Sequence, residues 1–114
     1  MFSSQVQEVQ LTLDEAKKKV KLGEALERLE RNKDFKLVFD EVFFKQESLR
    51  QVSLLSCPNH QEPHKQASII ADMRASATVQ AFFRLVYRNK EQAEQSVYDS
   101  EEQLANIRSL GEDE

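Results

Sequence analysis

Glycine and proline are scarce, with two of each in 114 residues. A β-rich fold of this length needs many turns built on those residues. Their scarcity excludes a strand-and-turn architecture and points to long helices. Tryptophan is absent, and apolar residues reach 39% against 32% charged, so the core is modest. The single cysteine excludes an intramolecular disulfide and fits a reducing compartment. No apolar run approaches the ~18 residues of a membrane span, and the first residues lack the basic-then-apolar pattern of a secretory signal. Sixteen basic against twenty acidic side chains, net −4, argue against a nucleic-acid-binding surface. The only glycines are Gly23 and Gly111. Neither a phosphate-cradling loop nor a dinucleotide fingerprint can be written with them.

What is present is helical periodicity. Residues 1–11 carry Val6, Val9 and Leu11 without a strong period and read as an N-terminal arm, strand-like or frayed. Thr12-Leu13-Asp14-Glu15 fits a capping box that opens a helix, with Asp14 and Glu15 at the positive end of its dipole. Ala16, Val20, Leu22, Leu26 and Leu29 follow at spacings of a helix face. Gly23, inside that run, costs ~1 kcal/mol relative to Ala; it reads as a tolerated weak point in preference to the alternative, a close helix crossing.

Asn32-Lys33-Asp34 breaks the pattern, and Asp34 is a suitable N-cap for a second helix. In that helix Phe35, Val38, Phe39 and Val42 form one stripe at α-helical spacing, with Leu37 and Phe44 on a neighbouring face. The pattern continues through Leu49, Val52 and Leu55, as one helix or as two with a bend near Lys45–Ser48, where Ser48 suits a new cap. The clearest loop is 57–64. It holds both prolines, Pro58 and Pro63, and both histidines, and Pro63 suits the first position of the next helix.

From Lys65 to Leu110 there is neither Gly nor Pro. Ile70, Met73, Ala77 and Ala81 make one stripe. Val79, Phe83, Val86, Ala93, Val97 and Leu104 make another of near-heptad rhythm, with Lys90 and Glu101 filling the seam. A helix of ~40 residues spans ~60 Å and must bury its stripe against the front half of the chain or another molecule. Gly111 reads as the stop and 111–114 as an acidic tail.

The expected fold is therefore all-α: a helical hairpin or small antiparallel bundle with one long C-terminal helix and a coiled-coil-like seam. Residues 12–110 form a single domain. Phe35, Phe39, Phe43, Phe82 and Phe83 gather in an aromatic cluster, and Leu22, Leu26 and Leu29 pair with Ala93, Val97 and Leu104. So narrow an arm buries little surface per residue, which favours homo-oligomerisation.

Candidate sites are few. Cys57, His60 and His64 have spacings seen among zinc ligands, with Glu62 in reach, but no second ligand pair accompanies them; the competing reading is a polar loop with a half-buried thiol. No nucleophile has a positioned base or an oxyanion-binding turn, so no catalytic residue, enzyme activity or cofactor is assigned. Lys17, Lys18, Lys19 and Lys21 form a basic patch that meets a phosphate or an acidic partner, or is a solvated face balanced within the chain by Asp14, Glu15 and Glu24. Asp99, Glu101 and Glu102 are further counter-charges for it in an antiparallel hairpin. Arg84 faces a partner or pairs with Asp40 or Glu41. Leu37 and Phe44 are partner-surface candidates wherever they stand exposed.

Ala25-Leu26-Glu27-Arg28-Leu29-Glu30-Arg31-Asn32-Lys33-Asp34-Phe35-Lys36-Leu37-Val38-Phe39, then Phe43-Phe44-Lys45-Gln46-Glu47 and Leu49-Arg50, resembles a family of small helical proteins encoded by tailed bacteriophages. Phe82-Phe83-Arg84 and the acidic C-terminal helix are also similar, so the resemblance covers residues 13–100. It implies a gene among those for virion structure and assembly, and no site residues carry over. The function expected is a non-enzymatic phage protein acting by protein–protein contact, as a virion component or assembly factor. The alternative is a phage-encoded inhibitor that binds a host protein through an acidic helical surface. Both place the chain in the host cytoplasm during infection, the first also in the virion, with protein partners and neither nucleic acid nor membrane.

Overall fold

The computed structural model describes the backbone of residues 2–112 and the side chains of 3–111. Among these residues there are only helices and short connections: α1 (Phe2–Arg31), α2 (Lys33–Phe35), a π-helix (Lys36–Gln46), α3 (Glu47–Ser56), a 3₁₀ turn (Pro58–His60) and α4 (Pro63–Glu112). They form two compact units, one of residues 1–26 with 85–114 and one of residues 27–84.

In the first unit α1 and α4 pack antiparallel. Ala16 lies beside Ala93 and Ser96, while Gly23 lies against Lys90. The seam alternates three and four on both helices. Val6, Val9, Leu13, Ala16, Val20 and Gly23 are buried or half-buried on α1, as are Val86, Lys90, Ala93, Val97, Ser100, Leu104 and Ile107 on α4. Sustained 3–4 spacing is what lets two helices stay in contact over many turns. Small residues recur every seventh position, Ala16 and Gly23 on one side and Ala93 and Ser100 on the other, and they allow close approach. A Cβ built on Gly23 would stand 2.6–2.7 Å from Cβ, Cγ and Cδ of Lys90. Gly23 is thus a close crossing and not a tolerated defect. Ser100 occupies the seam in place of Glu101, which is exposed, and Leu22 lies outside it.

α1 differs at its start from the expected arm and capping box. It is helical from Phe2, and Met1 lies outside the described residues. Thr12 is mid-helix, its Oγ1 donating to the Glu8 carbonyl at 3.1 Å. A Thr hydroxyl can satisfy itself inside a helix in this way, so the Thr-x-x-Glu spacing marks no terminus. At the other end Gly111 does not stop α4, which runs through it to Glu112. Asp113 and Glu114 of the expected tail lie outside the described residues.

In the second unit the cap is Asn32, not Asp34. The Asn32 Oδ1 accepts from the Asp34 and Phe35 backbone N–H groups at 2.9 and 3.0 Å. The chain then winds as a π-helix, and the winding explains which residues are inside. Phe35, Phe39 and Phe44 recur at intervals of four and five, the rhythm of a helix with about 4.4 residues per turn, closed by i→i+5 bonds. At 3.6 residues per turn Val38 and Val42 would join Phe35 and Phe39, as the sequence spacing predicts, and Phe44 would point away. The π winding leaves Val38 54% and Val42 42% exposed and turns Phe43 and Phe44 inward. Phe35 stacks on Phe39 at 4.6 Å between centroids, and Phe83 of α4 sits 6.1 Å from Phe35 and 5.9 Å from Phe44. Phe82 meets Phe83 at 6.3 Å between centroids and is largely exposed. The segment continues into α3 without a break, since Gln46 and Glu47 both hold right-handed helical angles. On α4 the inward positions are Ile69, Met73 and Ser76, one step before the expected Ile70 and Ala77, which are exposed.

Candidate functional site

The loop between α3 and α4 is ordered by amide side chains. Cys57 is extended (φ −71°, ψ 128°), as a residue preceding proline prefers. The end of α3 would leave carbonyls unpaired, and two glutamines supply donors. Gln61 Nε2 donates to the Leu55 and Cys57 carbonyls at 2.9 and 2.7 Å. Gln66 Nε2, from the first turns of α4, donates to the Leu55 and His60 carbonyls at 3.0 and 2.7 Å. Lys65 Nζ adds a bond to the Asn59 carbonyl at 3.1 Å. Sequence reading passes over Gln61 and Gln66; their position just after a proline-broken helix end is the signal available.

Cys57, His60 and His64 are not drawn into one site. Among the described residues no group of three or more His, Cys, Asp and Glu side chains is placed to hold a metal ion. His60 Nδ1 is screened from solvent without a hydrogen-bond partner, and Cys57 is a half-buried free thiol.

The lysine patch is exposed throughout. Lys18 Nζ lies 3.4 Å from Glu15 Oε1, both side chains mostly in solvent. Lys17 and Lys21 line a shallow groove of about 350 Å³ with Val20, Glu24, Glu94 and Val97. Among the described residues no ion pair joins the patch to Asp99, Glu101 or Glu102, and Asp99 accepts instead from Gln95 Nε2 at 3.0 Å. Lys90 combines two roles: its stem covers Gly23 and its ammonium lies 3.2 Å from Glu94 Oε1, the snorkelling open to a long cationic side chain. On α3 Arg50 grips Glu47 with Nε at 2.9 Å and with Nη2. That hydrogen bonding, chiefly, holds the Glu47 carboxyl below its ordinary range and raises Arg50.

The partner-surface candidates separate. Leu37 is 58% exposed beside Val38 and Val42, whereas Phe44 is half-buried against Phe39, Phe43 and Phe83. Arg84 is exposed, and no ion pair joins it to Asp40 or Glu41 among the described residues. Sequence reading misses the exposed Leu11 and Leu22 on α1 and Leu49 and Val52 on α3. Leu22, Leu49 and Val52 lie outside the inward pattern that their spacing predicts.

None of the described helices is long and apolar enough to cross a membrane. Compared with known proteins, the chain matches no protein-family model, no curated protein and no solved structure.

Proposed function

We propose that this chain is a non-enzymatic protein of a tailed bacteriophage that works by protein–protein contact, as a virion component or assembly factor. The observation that carries the contact role is the number of large apolar side chains left in solvent on regular helices: Leu11 and Leu22 in one unit, Leu37, Val38, Leu49 and Val52 in the other. Single exposed leucines are ordinary on any protein surface. Neighbouring pairs on a helix, Leu37 with Val38 and Leu49 with Val52, support a surface that a partner covers. The phage setting rests on the resemblance over residues 13–100. Its place of action is accordingly the host cytoplasm during infection and the assembled particle.

Mass spectrometry of purified particles from the encoding phage tests this reading. The chain should be recovered at a fixed ratio to the capsid or tail proteins. Its absence from particles, together with stoichiometric capture of one host protein, would replace the assembly role by that of an inhibitor.

A further inference from the structure

The outer side of α1 carries a run of side chains that is self-complementary in type. Leu11, Glu15, Lys18 and Leu22 follow at spacings of four, three and four. At 100° per residue they fall within an arc of about 60°, turned about 150° from the seam residues Leu13, Ala16, Val20 and Gly23. All four are exposed, and Leu11 and Leu22 are 63% and 54% exposed. The two leucines, and likewise Glu15 and Lys18, are centred on the same point between Ala16 and Lys17.

We infer that this face pairs with the same face of a second copy of the chain, the two α1 helices antiparallel about a two-fold axis at that point. A two-fold interface requires a self-complementary surface. In the antiparallel arrangement Leu11 packs on Leu22 of the partner copy, and Leu22 on the partner copy's Leu11. Glu15 meets Lys18 of the partner copy, and Lys18 meets its Glu15. The intrachain Glu15–Lys18 pair at 3.4 Å thereby becomes one side of a four-charge cluster. A parallel arrangement sets Glu15 on Glu15 and Lys18 on Lys18, a repulsion that fixes the orientation. Spacings of three and four place the layers as in an antiparallel coiled coil, apolar–charged–charged–apolar. The inference rests on the protein-contact reading above and names a second copy as one of the chain's partners.

Sedimentation equilibrium across the micromolar range tests it. The wild-type chain should dimerise, more weakly at high salt. Glu15→Lys and Lys18→Glu should each weaken self-association about 10-fold, because two opposite-charge contacts become like-charge ones. An equimolar mixture of the two variants should form a heterodimer about as tight as the wild-type dimer. In that heterodimer both contacts between position 15 of one copy and position 18 of the other again join a lysine to a glutamate. Leu22→Glu should abolish the dimer while the far-ultraviolet circular dichroism stays helical. A wild-type chain that stays monomeric, single variants that associate like the wild type, or a mixture no tighter than its components would each overturn the inference. Recovery of a monomeric chain from particles would overturn the dimer alone and leave the assembly role standing.

Discussion

Replacing Gly23 by alanine sets two well-defined effects against each other. In an ordinary helix interior the change stabilises by about 1 kcal/mol, since alanine is the better helix former. Here the new methyl would lie 2.6–2.7 Å from Lys90 Cβ, Cγ and Cδ, about 1 Å inside the normal separation of non-bonded carbons. Lys90 Cγ and Cδ can swing aside, but Cβ moves only with the α4 backbone. The clash must therefore push α1 and α4 apart along a seam closed by Ala16, Ala93 and Ser100. Overpacking of this kind typically costs about 1–3 kcal/mol, so Gly23→Ala should be net destabilising by about 1 kcal/mol. For a chain of this size that lowers Tm by about 4 °C. Removing the obstacle reverses the sign: in a Lys90→Gly background the same substitution should stabilise by about 1 kcal/mol, a coupling of about 2 kcal/mol. Gly111→Ala, with nothing within 4 Å of the new methyl, provides the propensity effect alone. Urea and thermal unfolding followed by circular dichroism, at one protein concentration, measure all five proteins. A Gly23→Ala chain more stable than wild type, or the same effect in both backgrounds, would refute the reasoning.

Phe44→Ala should cost about 2 kcal/mol, since a half-buried ring loses its packing against Phe43 and Phe83, and Val42→Ala less than about 1; the opposite ranking in urea unfolding would mean that the segment winds as an α-helix. Asn32→Ala should cost about 1 kcal/mol and Asp34→Ala much less, because Asn32 accepts from both backbone donors; equal losses in Tm would contradict that cap. Glu47, held by Arg50, has a folded-state carboxyl below its unfolded one. Its contribution is present above the unfolded carboxyl's range near pH 4.3 and lost as pH falls through the lower folded value. Glu47→Gln should accordingly flatten the acid side of the Tm–pH profile; an unchanged slope would show that the pair does not couple to folding.

The helical class and the long elements are written in local features of the chain. So few glycines and prolines leave little but helix, the prolines at 58 and 63 place the one clear loop, and the breaker-free stretch after Lys65 becomes α4, beginning at Pro63. These features are local, because a backbone that cannot turn continues. The start of α1 was not legible, because Val6, Val9 and Leu11 alone show no strong period and the spacing of Thr12 and Glu15 imitates a cap. Of the candidate site, exposed Leu37 was named from the sequence. Leu11 and Leu22 were not, because an apolar residue at helical spacing does not declare which side of the helix is covered.

Tertiary structure alone decided the winding of Lys36–Gln46 and the meaning of Gly23. Four phenylalanines within ten residues fit either an α- or a π-helical face, and Phe83, distant in sequence, selects the π winding by offering rings to Phe35 and Phe44 together. Gly23 carries no signal until Lys90 is laid across it. Both depend on contacts between residues far apart in the chain, and periodicity, which compares a residue only with its neighbours, contains no information about them.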